Sequence, residues 1–214
     1  QKRKLNCFIT SVILAVVMVI SGVVCNIVST RMNNSDYETL ISTSTASSLD
    51  DKINNYKNAV EIYPDRTDAY VKMIEAYQDE GTFSKQENDD FLAVYNANKD
   101  QLDATSSDVS ELNYIIGMLY FNYYTENNDG DYSFSTRVQK AYPFFNENYQ
   151  SATGFEEQTM SDCYYQICSF YKKYILNTTT VEEASKENYD EIFTVIDDAI
   201  NSVKDAGAYD QLTL

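Results

Sequence analysis

The chain of 214 residues contains no histidine and no tryptophan, two prolines, six glycines and four cysteines. Without histidine, a Ser-His-Asp triad, an imidazole general base and the usual zinc ligand sets are excluded. There is no Gly-rich phosphate-cradling loop and glycine is scarce, so any chemistry would rest on Asp, Glu, Ser or Cys alone. Cys163 and Cys168 lie on one predicted helix with a rise of about 7.5 Å between them, beyond the roughly 7 Å that a disulfide spans between α-carbons. Cys7 and Cys25 fall in an uncharged run, and no disulfide framework follows. The acid-rich stretch "ENNDGDYS" around Gly130 lacks the ligand spacing and terminal Glu of a calcium loop and reads as a polar turn. No catalytic residue, metal site or cofactor is predicted, and the chain as given reads as a non-enzyme.

Charge is unevenly distributed. Lys2, Arg3, Lys4 and Arg31 stand in residues 1–31 without an acid, which leaves 12 of the 16 bases against all 33 acids in the remainder. Such a surface repels nucleic acid and favours basic or neutral partners. Residues 5–30 carry no charge at all, and a helix of that length, at about 1.5 Å per residue, could cross a hydrocarbon core of roughly 30 Å. The expectation is therefore a basic flank (1–4), a transmembrane helix (5–30) and a Ser/Thr-rich stalk (31–48). A helical domain (49–205) and a short tail (206–214) follow. The basic flank places the N-terminus in the cytoplasm and the domain outside a single-pass plasma membrane protein.

After the stalk, apolar and aromatic residues recur at helical spacing in seven segments, as at Ile53, Tyr56, Val60 and Tyr63, and again at Tyr70, Met73, Ile74 and Tyr77. Ser84 with Glu87 and Thr180 with Glu183 have the spacing of capping boxes, and Pro64 closes a helix because it lacks an amide donor. No strand is predicted. The 19 tyrosines could form an aromatic platform, but most sit on the apolar stripes and read as core packing.

Tyr56, Ala59 and Pro64, followed by Tyr70, Met73, Tyr77 and Gly81, resemble the end of one tetratricopeptide repeat and the start of the next. Ile74 is large for the small slot between them. Tyr164, Ile167, Cys168 and Tyr171 repeat the first-helix spacing, and Tyr189, Phe193 and Ile196 the second-helix spacing. Around Gly117 the register is open: the glycine suits the small slot, but Asn113 then stands where an aromatic belongs. The resemblance implies an all-α, TPR-like stack of about seven antiparallel helices, an α-solenoid that binds a protein or peptide in a groove. Its implied groove residues are Asp68, Glu75, Gln78, Glu111, Tyr114, Asp162, Tyr165 and Lys172, too acidic for a carboxylate clamp.

The layout of basic flank, span, stalk and TPR-like domain looks like the extracytoplasmic sensor half of a receptor-type serine/threonine kinase, whose catalytic domain would precede Gln1. The alternative is a stand-alone membrane-anchored scaffolding or assembly protein. Homodimerisation is open in both readings.

Overall fold

The computed structural model describes residues 2–42, 48–126, 133–151 and 153–176, with residues 194, 197, 198 and 201 also helical; side chains are described for Met18 and from Ser21 to Lys173 within those ranges. The predicted capping box at Thr180, the stripe of Tyr189, Phe193 and Ile196, and the tail lie outside the described residues. Among the described residues, seven α-helices pack against one another: α1 (Lys2–Ile41), α2 (Leu49–Ile62), α3 (Asp68–Glu80), α4 (Lys85–Asn98), α5 (Ser107–Tyr123), α6 (Phe134–Ser151) and α7 (Gln158–Phe170). A 3₁₀ turn (Lys99–Gln101) follows α4, and a π-helical turn (Tyr171–Leu176) continues α7.

The transmembrane reading is corrected. Among the described residues, no helix is long and apolar enough to cross a membrane. From Ser21 on, polar residues (Ser21, Asn26, Ser29 and Thr30) are interspersed along α1 before Arg31. The single-pass membrane localisation, with its cytoplasmic N-terminus and extracytoplasmic domain, is corrected with it. Nor does the chain leave the helix at Arg31, where the stalk was expected. It stays helical to Ile41 because Tyr37, Leu40 and Ile41, at i, i+3 and i+4, pack on the core. Tyr37 is fully buried and meets the Tyr63 ring edge-on at 5.4 Å, while the Arg66 guanidinium lies over both rings.

Local chemistry sets the later boundaries. Ser48 accepts from the Asp51 amide at the start of α2, and Ser106 from the Val109 amide at the start of α5. Ser84 and Glu87 form the reciprocal capping box of α4. Helix α2 stops before Pro64, and α3 ends on Gly81, whose φ of 78° is the left-handed cap that a side chain would strain. Arg137 donates to the carbonyls of Phe121, Asn122 and Tyr124, which gives the C-terminal end of α5 the partners it lacks.

Helix α1 packs on α2 and α3, α2 on α3, α3 on α5, α5 on α6, and α6 on α7. Helix α3 thus links α1 and α2 to α5, and α6 links α5 to α7, an arrangement compatible with a helical-repeat fold. Helix α4 is joined to this layer by rings and hydroxyls. Tyr95 meets Tyr70 edge-on at 6.2 Å and donates to Asn113, and Tyr120 donates to Asn88. The α3–α4 loop is held by Phe83, which forms an isolated parallel bridge with Tyr124; its N–H donates to the Tyr123 carbonyl, and its own carbonyl accepts from Thr125.

Gly117 lies where α5 meets the Phe145 ring of α6. A Cβ there would stand 2.6 Å from Phe145 Cε1. Phe145 cannot withdraw, because it is fully buried and stacked on Tyr164 at 5.4 Å. Gly117→Ala is therefore expected to destabilise the fold by about 1–3 kcal/mol through overpacking. Phe145→Leu in the same chain should recover part of that loss, a coupling that urea denaturation of the single and double variants reads directly.

Candidate functional site

The residues that carry the repeat spacing are placed mainly in the core. Tyr56, Ala59, Tyr70, Met73, Tyr77, Tyr164 and Cys168 are buried, and Pro64, Ile167 and Tyr171 are half-buried. Pro64 contributes its carbonyl, which accepts from the Tyr70 hydroxyl at 3.2 Å. Burial pushes Cys163 up to about 11 and Cys168 up to about 12. Both thiols are free, and among the described residues no three Cys, Asp or Glu side chains converge as metal ligands.

The eight expected groove residues do not form one surface. Asp68 is exposed in the first turn of α3, near the buried Tyr37 phenol, and Gln78 is half-buried near the end of that helix. Glu75 lies in a cleft of about 370 Å³ lined by Ile41 of α1, Lys52 and Tyr56 of α2, and Lys72 and Asp79 of α3. Lys72 Nζ donates to Glu75 at 2.6 Å, and this hydrogen bond raises the lysine pKa. A neighbouring cleft of about 380 Å³ carries Asp50, Asn54, Lys57, Glu87 and Asp90, with Lys57 and Asp90 paired at 3.8 Å.

Glu111 stands exposed at the α5 end near the start of α7. Desolvation, followed by Glu157, Asp108 and Glu156, raises its carboxyl. Tyr114, one turn on, points inward to Phe145 and Phe155 at about 6 Å, so it packs instead of lining a groove. Asp162 is half-buried, its pKa raised by burial and lowered by the hydrogen bond from Gln158. Tyr165 and Lys172 come together between α6 and α7, where they meet Tyr142 and Tyr149. Those two partners were not singled out from sequence. Their spacing of seven residues, two helical turns on the outer face of α6, was the available signal.

The buried phenols are strongly biased to the neutral form. Desolvation pushes Tyr37, Tyr95 and Tyr114 up to about 12 and raises Tyr70, Tyr77 and Tyr120 as well. In the unfolded chain they ionise near 10. Because the folded values are raised, stability is fully present below about pH 10 and declines as pH rises through about 12. The phenolate absorbance of these six tyrosines should appear together with the loss of helical ellipticity. Ionisation of all 19 tyrosines with helicity intact would contradict this.

The fold and its surface define an all-helical stack of the kind that presents clefts between neighbouring helices. Comparison with protein-family models, with curated proteins and with solved structures finds no match.

Proposed function

We propose that this chain is a protein-interaction module of TPR-like helical hairpins that takes a basic or neutral protein segment. The observation that carries the reading is the layer of contacts from α1 to α3 to α5, with the α1–α2–α3 cleft opening beside it and holding Glu75 and Asp79. The excess of 33 acids over 16 bases supports a partner of opposite charge, by long-range attraction that salt screens. The receptor-kinase layout depended on a membrane span and is not carried further.

The test titrates the full chain with a fluorescent Lys/Arg-containing peptide and with an acidic peptide of equal length. Saturable binding of the basic peptide alone is expected, weakening as salt rises. Glu75→Gln with Asp79→Asn should weaken it about two- to tenfold, the range for exposed ion pairs. Failure of both peptides to saturate at low salt would overturn the reading.

A second reading, a scaffolding or assembly protein, is favoured by α1. Met18, Val23, Val24, Ile27, Val28 and Met32 are each about half or more exposed, an apolar surface that a partner helix would cover. Sedimentation that finds only monomer at every concentration, with no co-sedimenting helix-bearing partner, would exclude it.

A further inference from the structure

The surface between α6 and α7 carries a ladder of three tyrosines. Tyr149 and Tyr165 stack with ring centroids 4.1 Å apart and planes 14° from parallel, and Tyr165 stacks in turn on Tyr142 at 5.9 Å and 27°. At the Tyr142 end, Lys172 Nζ lies 3.6 Å from the ring centroid. Two pairs of equal spacing face each other here. Tyr142 and Tyr149 are separated by two turns of α6, while Tyr165 of α7 and Lys172 of its π-helical continuation are separated by as many residues.

The face of a phenol ring is the negative end of its quadrupole and attracts a cation within about 6 Å. Among the described residues, the ion pairs involve Lys57, Arg66, Lys72 and Lys85, and Lys172 has no carboxylate at such a distance. On a chain of net charge -17, this lysine is seated on a ring. Tyr149, at the other end, is 42% exposed.

We propose that the Tyr149–Tyr165–Tyr142 ladder binds a cationic side chain of a partner, arginine above all, and that Lys172 is the internal cation that competes for it. A guanidinium suits the ladder better than an ammonium because it is planar, stacks on aromatic faces and is more weakly hydrated. The acidic surroundings raise the local concentration of such a partner. This site is separate from the α1–α2–α3 cleft, and it draws on the interaction-module reading only for the partner's charge.

The test uses the full chain with isotopically labelled tyrosine rings, the Tyr142, Tyr149 and Tyr165 resonances being assigned from their Phe variants. It is titrated with N-acetyl-arginine amide and, in parallel, with N-acetyl-glutamate amide. The arginine probe should shift Tyr142, Tyr149 and Tyr165, and the glutamate probe should not. Tyr149→Ala should weaken arginine binding about two- to fivefold, the range for an exposed cation–π contact. Lys172→Met should strengthen it by a similar factor. Absence of arginine-dependent shifts in both the parent chain and Lys172→Met would overturn the proposal. So would a glutamate probe that binds and is lost on Lys172→Met, since Lys172 would then serve an anion. These outcomes do not depend on Glu75 or Asp79, so failure at the cleft and failure at the ladder are read separately.

Discussion

Phe83→Ala is expected to lower the free energy of unfolding by about 3–5 kcal/mol, the range for truncating a buried phenylalanine. Phe83 is fully buried in the loop between α3 and α4, and its ring meets Tyr77 at 5.1 Å, Phe91 at 6.2 Å, Tyr120 at 5.5 Å and Tyr124 at 6.4 Å. Those rings come from α3, from α4 and from the α5 end, so one truncation loosens three elements. The bridge to Tyr123 and Thr125 uses only backbone atoms and survives the substitution in principle. Phe83→Leu, which keeps most of the volume, should therefore cost much less. Urea denaturation of both variants checks the prediction; equal losses would show that ring packing is not what the site contributes.

Asn148→Leu should cost about 1–3 kcal/mol, because it leaves the Ser161 hydroxyl buried without the amide that donates to it, while Asn148 Oδ1 makes no hydrogen bond among the described residues. Asn148 is fully buried, and its amide donates to the Ser110 carbonyl of α5 at 2.8 Å and to the Ser161 hydroxyl of α7 at 3.1 Å. Thr153 extends the network, donating to the Ser110 hydroxyl at 2.7 Å. One side chain of α6 thereby ties its two neighbours together inside an apolar core. Adding Ser161→Ala to Asn148→Leu should recover part of the loss, since a donor and its acceptor are then removed together. Strict additivity in a double-mutant cycle would mean that the two side chains are not coupled.

Both residues show where the sequence was opaque. Phe83 stands among turn residues, in "EGTF", and nothing local announces that its ring will meet α5; its partners Tyr120 and Tyr124 are supplied by tertiary packing. Asn148 reads as one more polar residue of a polar helix, and its burial follows from being on the face that α5 and α7 share. By contrast, the Ser84–Glu87 box, the stop at Pro64 and the stripe of Tyr70, Met73 and Tyr77 were legible. Each depends on residues within about two helical turns of one another. Helix α1 was misread in two ways. A long uncharged run outweighed the polar residues interspersed from Ser21 on, and Ser/Thr-rich composition concealed the short stripe of Tyr37, Leu40 and Ile41.

The candidate site divides along the same line. Helical spacing could nominate Glu75, Tyr114 and Tyr165 for outward faces, but it could not separate an outward face from one turned toward a later helix. Tyr114 packs against Phe145 and Phe155, while Tyr165 joins a surface ladder with Tyr149 and Tyr142. The register around Gly117 was open until Phe145 was seen against it.

By itself the sequence determined that this is an acidic, all-helical chain without histidine chemistry, and it set the helix boundaries through caps, proline and apolar period, all of them short-range effects. Tertiary structure alone decided which tyrosines became core and which became surface, which glycine marks a close approach, and which cation sits on a ring. Those outcomes depend on the partner that each helix face meets, and that partner comes from residues distant in the chain.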